Sequence, residues 1–271
     1  MFKVIELIRR HSNWRDILTN APYCLNIIDE NEFTLLKFTY NGSDFHNEIV
    51  RECRGLIIDK DLNPVCVPFF KFFNYCEPYA DEIDWASAVV EEKIDGMLIK
   101  TWNYKGTWMI STKDTVFANK EALTPKKESN PNSNFKNYNE LFVAALERIN
   151  FDLNSLNKQF TYVFELVSPY NQFFVHYDSI DVYHIGARDN VSGQELEVNV
   201  GIKKPKTFTC KDINDITKMA SKLISGEGYV VKDKNYNRIK VKNPTYTSAK
   251  YSVDGTNDKH EAIMSALNEN N

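Results

Sequence analysis

The chain has 271 residues, 42% hydrophobic and 13% aromatic, enough for one large domain or two small ones around a sizeable core. A formal net charge of −4 and a pI near 5.8 exclude a polybasic surface, so nucleic acid would have to bind in a local basic groove. The five cysteines are odd in number and lack C-x-x-C spacing, no apolar run approaches the ~20 residues of a membrane span, and Glu6, Arg9 and Arg10 come too early for a signal peptide; the expectation is a soluble cytoplasmic protein without a disulfide framework or zinc site.

Taken in chain order, Val4, Leu7, Ile8, Trp14, Ile17 and Leu18 recur at helical spacing with an interruption at Ser12-Asn13, which predicts two short helices ended by Pro22. Leu25–Ile28 and Phe33–Tyr40 read as strands joined by Asp29-Glu30-Asn31. Residues 55–59 and 64–70 read as a hairpin turning at Asp61-Leu62-Asn63. Asp81–Trp85 reads as a short helix. The stretch Glu91-Glu92-Lys93-Ile94-Asp95-Gly96 lies between the apolar runs Ala88-Val89-Val90 and Met97-Leu98-Ile99. It predicts two buried strands joined by a tight turn, with Gly96 at positive φ and the Lys93 amine held by rigid elements.

Leu98–Asn103 and Trp108–Thr112 read as strands turning at Lys105-Gly106. Residues 120–138 are a long polar loop, functional or plainly disordered. Leu141, Phe142, Ala145, Leu146 and Ile149 mark an amphipathic helix, and Ile213, Ile216, Met219, Ala220 and Leu223 a second one closed at Ser225-Gly226. Phe160–Val167 and Ile180–Ile185 read as strands, and Gly228–Lys232 with Arg238–Lys242 as a final hairpin over Lys234-Asn235. A short helix after Asp258 is expected in the polar tail. Strands outnumber helices and neighbours read as antiparallel, so the fold class is α+β, mainly antiparallel sheets with flanking helices.

Charged residues recur inside or beside apolar strand runs: Arg54, Lys71, Glu165, Glu227, Lys240 and Lys242, the last two sharing one strand face. Each alone suits a strand with one wet face. Together they suit a pocket in which cations face glutamates, since buried charges need partners, and an anionic, metal-bound nucleotide requires such a set. The histidines (His11, His46, His176, His184, His260) show no metal-ligand spacing and read as structural or exposed.

Lys93-Ile94-Asp95-Gly96, Glu165 in Phe164-Glu165-Leu166-Val167, Glu227-Gly228-Tyr229-Val230-Val231-Lys232 and Lys240-Val241-Lys242 resemble, in order, the motifs of the covalent-lysine nucleotidyltransferase superfamily of polynucleotide ligases and RNA capping enzymes. Tyr40, Glu52-Cys53-Arg54-Gly55 and Lys71-Phe72-Phe73-Asn74 resemble the narrower clade of the tRNA-repairing RNA ligase of T-even phages. The resemblance implies an ATP-grasp-like ligase core. It also implies a three-step reaction: Lys93 takes AMP from ATP, AMP passes to an RNA 5′-phosphate, and an RNA 3′-hydroxyl displaces it.

In that reading Lys93 and Asp95 are catalytic, and Tyr40, Arg54, Lys71, Glu92, Ile94, Gly96, Lys113, Glu165, Lys240 and Lys242 bind the nucleotide. Glu165 and Glu227 hold Mg²⁺ (or Mn²⁺), with Tyr246 on the metal or leaving-group side. A lysine of ordinary pKa ~10.4 is mostly charged at pH 7, and lowering that value by ~3 units, worth roughly 4 kcal/mol, makes the amine available. Residues 1–243 are expected to form the adenylyltransferase domain and 244–271 a polar tail, with no OB-fold after Lys242. The implied partners are RNA with 5′-phosphate and 3′-hydroxyl ends and a polynucleotide end-healing enzyme, with no membrane. The competing readings are a ligase for DNA or nicked hybrids and a catalytically silent nucleic-acid-binding module.

Overall fold

The computed structural model describes residues 2–123, 135–171 and 174–248. Most of the expected polar loop, residues 124–134, and the tail beyond 248 with its expected helix lie outside the described residues. In chain order the elements are α1 (Lys3–Arg10), α2 (Trp14–Thr19), β1 (Asn26–Glu30), β2 (Phe33–Lys37), α3 (Glu48–Glu52), β3 (Arg54–Asp59), β4 (Pro64–Cys66), β5 (Phe73–Asn74), β6 (Val89–Glu92), β7 (Met97–Tyr104) and β8 (Thr107–Thr112). They continue with α4 (Tyr138–Arg148), β9 (Phe160–Val167), β10 (Asp181–Asp189), β11 (Glu195–Leu196), β12 (Thr207–Phe208), α5 (Ile213–Ser221), β13 (Gly228–Lys232) and β14 (Arg238–Lys242). The described strand pairings are antiparallel apart from β5 beside β14, as the α+β reading expects.

Contacts divide the chain into two compact units. The first comprises the described residues of Met1–Lys71, Gly96–Asn171 and Asp178–Lys204 and holds two sheets. One has the order β1-β2-β3-β4, the other β11-β10-β9-β7-β8. Phe33, Leu35, Ile57 and Cys66 of the first sheet form a buried cluster with Trp102 of β7, so period-2 alternation on both sheets supplies the core between them. Opposite-parity residues Leu36, Leu56 and Ile58 pack against Val4, Ile5 and Ile8 of α1, and Ile99, Phe164 and Leu166 pack against Leu141, Phe142 and Ala145 of α4.

Helix α1 has no side-chain cap of its own. The Glu52 carboxylate accepts from Lys3 N at 3.0 Å and Val4 N at 2.8 Å, placing an anion at the helix N-terminus. The acid of Glu52-Cys53-Arg54-Gly55 thus ties α1 to the start of β3, and burial pushes its carboxyl above the ordinary value.

The second unit comprises the described residues of Phe72–Asp95, Gln172–Tyr177 and Pro205–Asn271. Its sheet has the order β12-β6-β13-β14-β5. Val90, Val231 and Ile239 are register partners, as are Tyr229 and Val241, and this face packs on Ile216 and Ala220 of α5. Asp212 caps α5 by accepting from Asn214 N and Asp215 N.

Two local expectations are corrected. Residues 89–92 and 97–104 are not a hairpin: β6 pairs with β13 and β12, whereas β7 pairs with β8 and β9. Asp81–Trp85 is not helical. Asp81 Oδ2 accepts from Arg238 N at 2.8 Å and Asp84 N donates to Asp233 at 3.2 Å, so tertiary bonds replace helical ones.

Candidate active site

In the second unit Lys93 follows β6 directly, and its backbone N–H donates to Gly228 O at 2.9 Å. Its amine lies 2.5 Å from Glu227 Oε2, with side chains 22% and 9% exposed. Gly228 itself lets β13 lie close against β14. Its φ is +135°, and a Cβ there would sit 2.2 Å from Val241 O. The expected Lys93 and Glu227 are therefore brought into direct contact, as an ion pair.

Lys240 and Lys242 of β14 are register partners of Val230 and Gly228, and Val230 also pairs with Glu91 of β6. Directly opposed residues share a face. The face away from α5 therefore carries Lys240, Lys242 and Glu91, and alternation along the chain puts Lys93 on the Glu91 side. Lys240 Nζ stands 5.5 Å from the centre of the Phe72 ring. Glu92 pairs with Tyr229, so the register puts it on the opposite face, toward α5, and does not group it with the two lysines. Glu91 takes that place, 3.8 Å from Lys232.

Asp95 is buried, and both its oxygens are engaged by protein groups. Oδ2 accepts from Phe174 N at 2.8 Å and Val175 N at 2.9 Å, and Oδ1 accepts from Tyr246 Oη at 2.8 Å. Ile94 is buried beside it. The geometry thus gives Asp95 and Tyr246 a holding role, fixing the segment that carries Lys93.

In the first unit Gly96 begins the run into β7. It does not adopt positive φ, which corrects the expectation. Glycine is needed there for room: a Cβ would lie 2.4 Å from Leu166 O and 2.9 Å from Val167 Cγ1. Its N–H donates to Glu165 Oε1 at 3.2 Å.

A second group of expected residues meets at one end of the core between the first unit's sheets. Asn26, Lys37 and Arg54 are register partners across β1, β2 and β3, in line with the inward-facing Leu35 and Phe33. With residues 38–40, Lys113 and Asp114 they line a cavity of about 280 Å³. Tyr40 is 58% exposed, and Lys71 Nζ lies 5.7 Å from the centres of both the Tyr40 and Phe45 rings. Gly55 lets the strand bearing Arg54 touch the backbone of Lys113: its φ is +87° and a Cβ would meet Lys113 O at 2.5 Å.

Behind this cavity Lys100 is fully buried on β7 and donates to Gly55 O at 2.5 Å. Burial pushes its amine below the ordinary value, and the Arg54 charge adds to that. Burial likewise lowers Lys113. Lys37, Lys100 and Asp114 were missed in the sequence. Lys37 continues the alternating row Phe33, Leu35, and Lys100 interrupts Leu98-Ile99-Lys100-Thr101-Trp102, so both carried a signal of the kind that drew attention to Glu165.

The expected set is divided between the two units: Glu92, Lys93, Ile94, Asp95, Glu227, Lys240, Lys242 and Tyr246 lie in the second, and Tyr40, Arg54, Lys71, Gly96, Lys113 and Glu165 in the first.

The model of the RNA ligase family matches residues 52–246, and the chain belongs to that family. A candidate bifunctional polynucleotide kinase/RNA ligase of Autographa californica nuclear polyhedrosis virus is 27% identical over 246 residues, covering 80% of this chain and 33% of that protein. A candidate RNA ligase of Thermovibrio ammonificans is 24% identical over 243 residues, covering 83% of this chain and 60% of that one. The chain therefore spans between a third and about three fifths of the length of these curated relatives. Among solved structures, an archaeal ATP-dependent RNA ligase superposes with a TM-score of 0.63 at 13% identity, covering 98% of this chain and 72% of that one. The chain thus shares the fold of that solved ligase, as the motif resemblance implied. Among the described residues no helix is long and apolar enough to cross a membrane.

Proposed function

We propose that the chain is an ATP-dependent RNA ligase that joins 5′-phosphate to 3′-hydroxyl RNA ends through a lysyl-AMP intermediate on Lys93. The observation that carries this reading is the Lys93 amine, anchored through its own backbone at Gly228 and set 2.5 Å from Glu227, within the stretch that matches the RNA ligase family.

Lys93 Nζ attacks the α-phosphorus of ATP, a P–N bond forms, and the bond to the pyrophosphate oxygen breaks. The attacking amine has to lose a proton, and Glu227 Oε2 is the carboxylate in contact with it. Lys240 and Lys242 stabilise the charge that grows on the α-phosphate. The cations of the first unit's cavity suit a polyphosphate as ligand. An RNA 5′-phosphate oxygen then displaces Lys93 from the AMP, and a 3′-hydroxyl displaces AMP to close the phosphodiester.

Glu227, and separately Glu165 in the first unit, are carboxylates of the kind Mg²⁺ or Mn²⁺ takes one or two of, and an ion held by either would neutralise phosphate charge. The reaction consumes 5′-phosphorylated ends. The Autographa relative is named for a kinase and a ligase together, which supports pairing this chain with a polynucleotide end-healing activity. That relative and its viral origin also support RNA repair in a host cytoplasm.

The test is sealing of a 5′-phosphorylated RNA strand against the same sequence in DNA, with ATP and Mg²⁺. Circularised or joined RNA is expected. Joined DNA with unjoined RNA would replace the reading by a DNA ligase, and neither product would leave only a binding module.

A further inference from the structure

The cavity of the first unit holds a feature that nucleotide binding does not itself require. Lys37, Arg54 and Lys113 line it, and among the described lining residues Asp114 is the one acid. Asp114 forms an ion pair with Lys37, and Lys113 Nζ lies 3.7 Å from its other oxygen. The three side chains are 27–37% exposed, so solvent screens this cluster only in part. Burial pushes the Asp114 carboxyl up, yet the Lys113 charge and the Lys37 hydrogen bond and charge together hold it below the ordinary value. The next acid, Glu121, accepts from Thr112 Oγ1; its charge also acts on Lys113, but it does not line the cavity.

We infer that Asp114 is the cavity's resident anion, holding Lys37 and Lys113 until a polyphosphate, as pyrophosphate or as the tail of a nucleoside triphosphate, takes them over. This rests on the reading that the chain uses a nucleoside triphosphate. Lys37 and Lys113 share this one carboxylate within the cavity, so a ligand with several charges can displace Asp114 where a singly charged one gains little. Asp114 is then a specificity-determining residue: it raises the threshold for anion entry and keeps Lys37 and Lys113 from facing one another while the cavity is empty. Its carboxylate also offers the lysines a partner again when pyrophosphate leaves.

The experiment is calorimetric titration of inorganic pyrophosphate into the wild-type chain, Asp114→Asn, Lys37→Met and the double variant, each checked for an intact fold by circular dichroism. Asp114→Asn keeps the side-chain shape and removes the competing charge, so it is expected to bind pyrophosphate about tenfold more tightly or better. Lys37→Met is expected to bind more weakly. In the double variant the gain from Asp114→Asn should shrink, because one of the cations it would release is gone. Should Asp114→Asn fail to fold, Asp114→Ser makes the same test. Unchanged or weaker binding on losing the carboxylate overturns the inference, and so does absence of pyrophosphate binding in every variant. AMP transfer to Lys93 is read separately: transfer without the affinity gain defeats this inference alone, and the gain without transfer defeats the ligase reading alone.

Discussion

Replacing Asp95 separates holding from chemistry. Its carboxylate accepts three hydrogen bonds, two from consecutive backbone N–H groups of Phe174 and Val175 and one from Tyr246 Oη. Hydrogen bonds to a charged acceptor contribute about 1.5–3 kcal/mol each, and a buried N–H left without a partner costs about 1–3 kcal/mol. Asp95→Asn keeps one oxygen for the two N–H groups, and its amide can donate to the tyrosine oxygen, so it loses the charge but not the pattern. A loss of about 1–2 kcal/mol is expected. Asp95→Ala removes all three acceptors and strands both N–H groups. Allowing for non-additivity, about 3–5 kcal/mol is expected. Urea unfolding with an unchanged m-value measures both. If Asp95→Ala is no less stable than Asp95→Asn, the carboxylate does not hold this segment. If Asp95→Asn is folded and stable yet transfers no AMP to Lys93, Asp95 acts in the chemistry as well.

Gly228→Ala should lose at least about 3 kcal/mol or fail to fold, because its Cβ meets the backbone oxygen of Val241 at 2.2 Å and its φ of +135° disfavours a side chain; a thermal midpoint near wild type would refute this. Lys240→Ala and Lys242→Ala should each abolish AMP transfer while changing unfolding free energy by less than about 1 kcal/mol, since neither side chain belongs to the apolar cluster under α5; near-normal transfer in both would remove their phosphate role. Lys100 bears on pH. Its amine is held below the ordinary value of 10.5 by burial, so between the two values the unfolded chain carries more protons than the folded one. Wild-type stability should therefore rise relative to Lys100→Met as pH climbs through the interval below 10.5, with the full penalty present at lower pH; parallel pH–stability curves would contradict the buried-amine account.

Local patterns in the sequence carried much of this fold. The hairpin at Lys105-Gly106 has two residues at positive φ, as its Gly-containing turn suggested, and β13 and β14 fall on Gly228–Lys232 and Arg238–Lys242 as alternation implied. The two-residue strand Phe73–Asn74 and the pairing of β6 with β13 were not legible, because their partners lie more than a hundred residues away. The need for Gly96 is not local: a sequence shows that a glycine is present, but the Leu166 carbonyl that crowds it comes from another strand. The face to which Glu92 points depends on register, and a strand read alone carries no register. Charges that interrupt apolar runs were the most informative signal at the candidate site. The same signal at Lys37 and Lys100 is weaker because each run otherwise has the pattern of an ordinary strand.

In the proposed reaction one amine carries AMP. The direct measurement is incubation with α-labelled ATP and Mg²⁺, denaturation, and mass-spectrometric mapping of the labelled peptide. Acid-labile AMP on Lys93, absent from Lys93→Ala, is the expected result. A wild-type chain that takes up no label, or takes it up equally when Lys93 is replaced, would contradict the account.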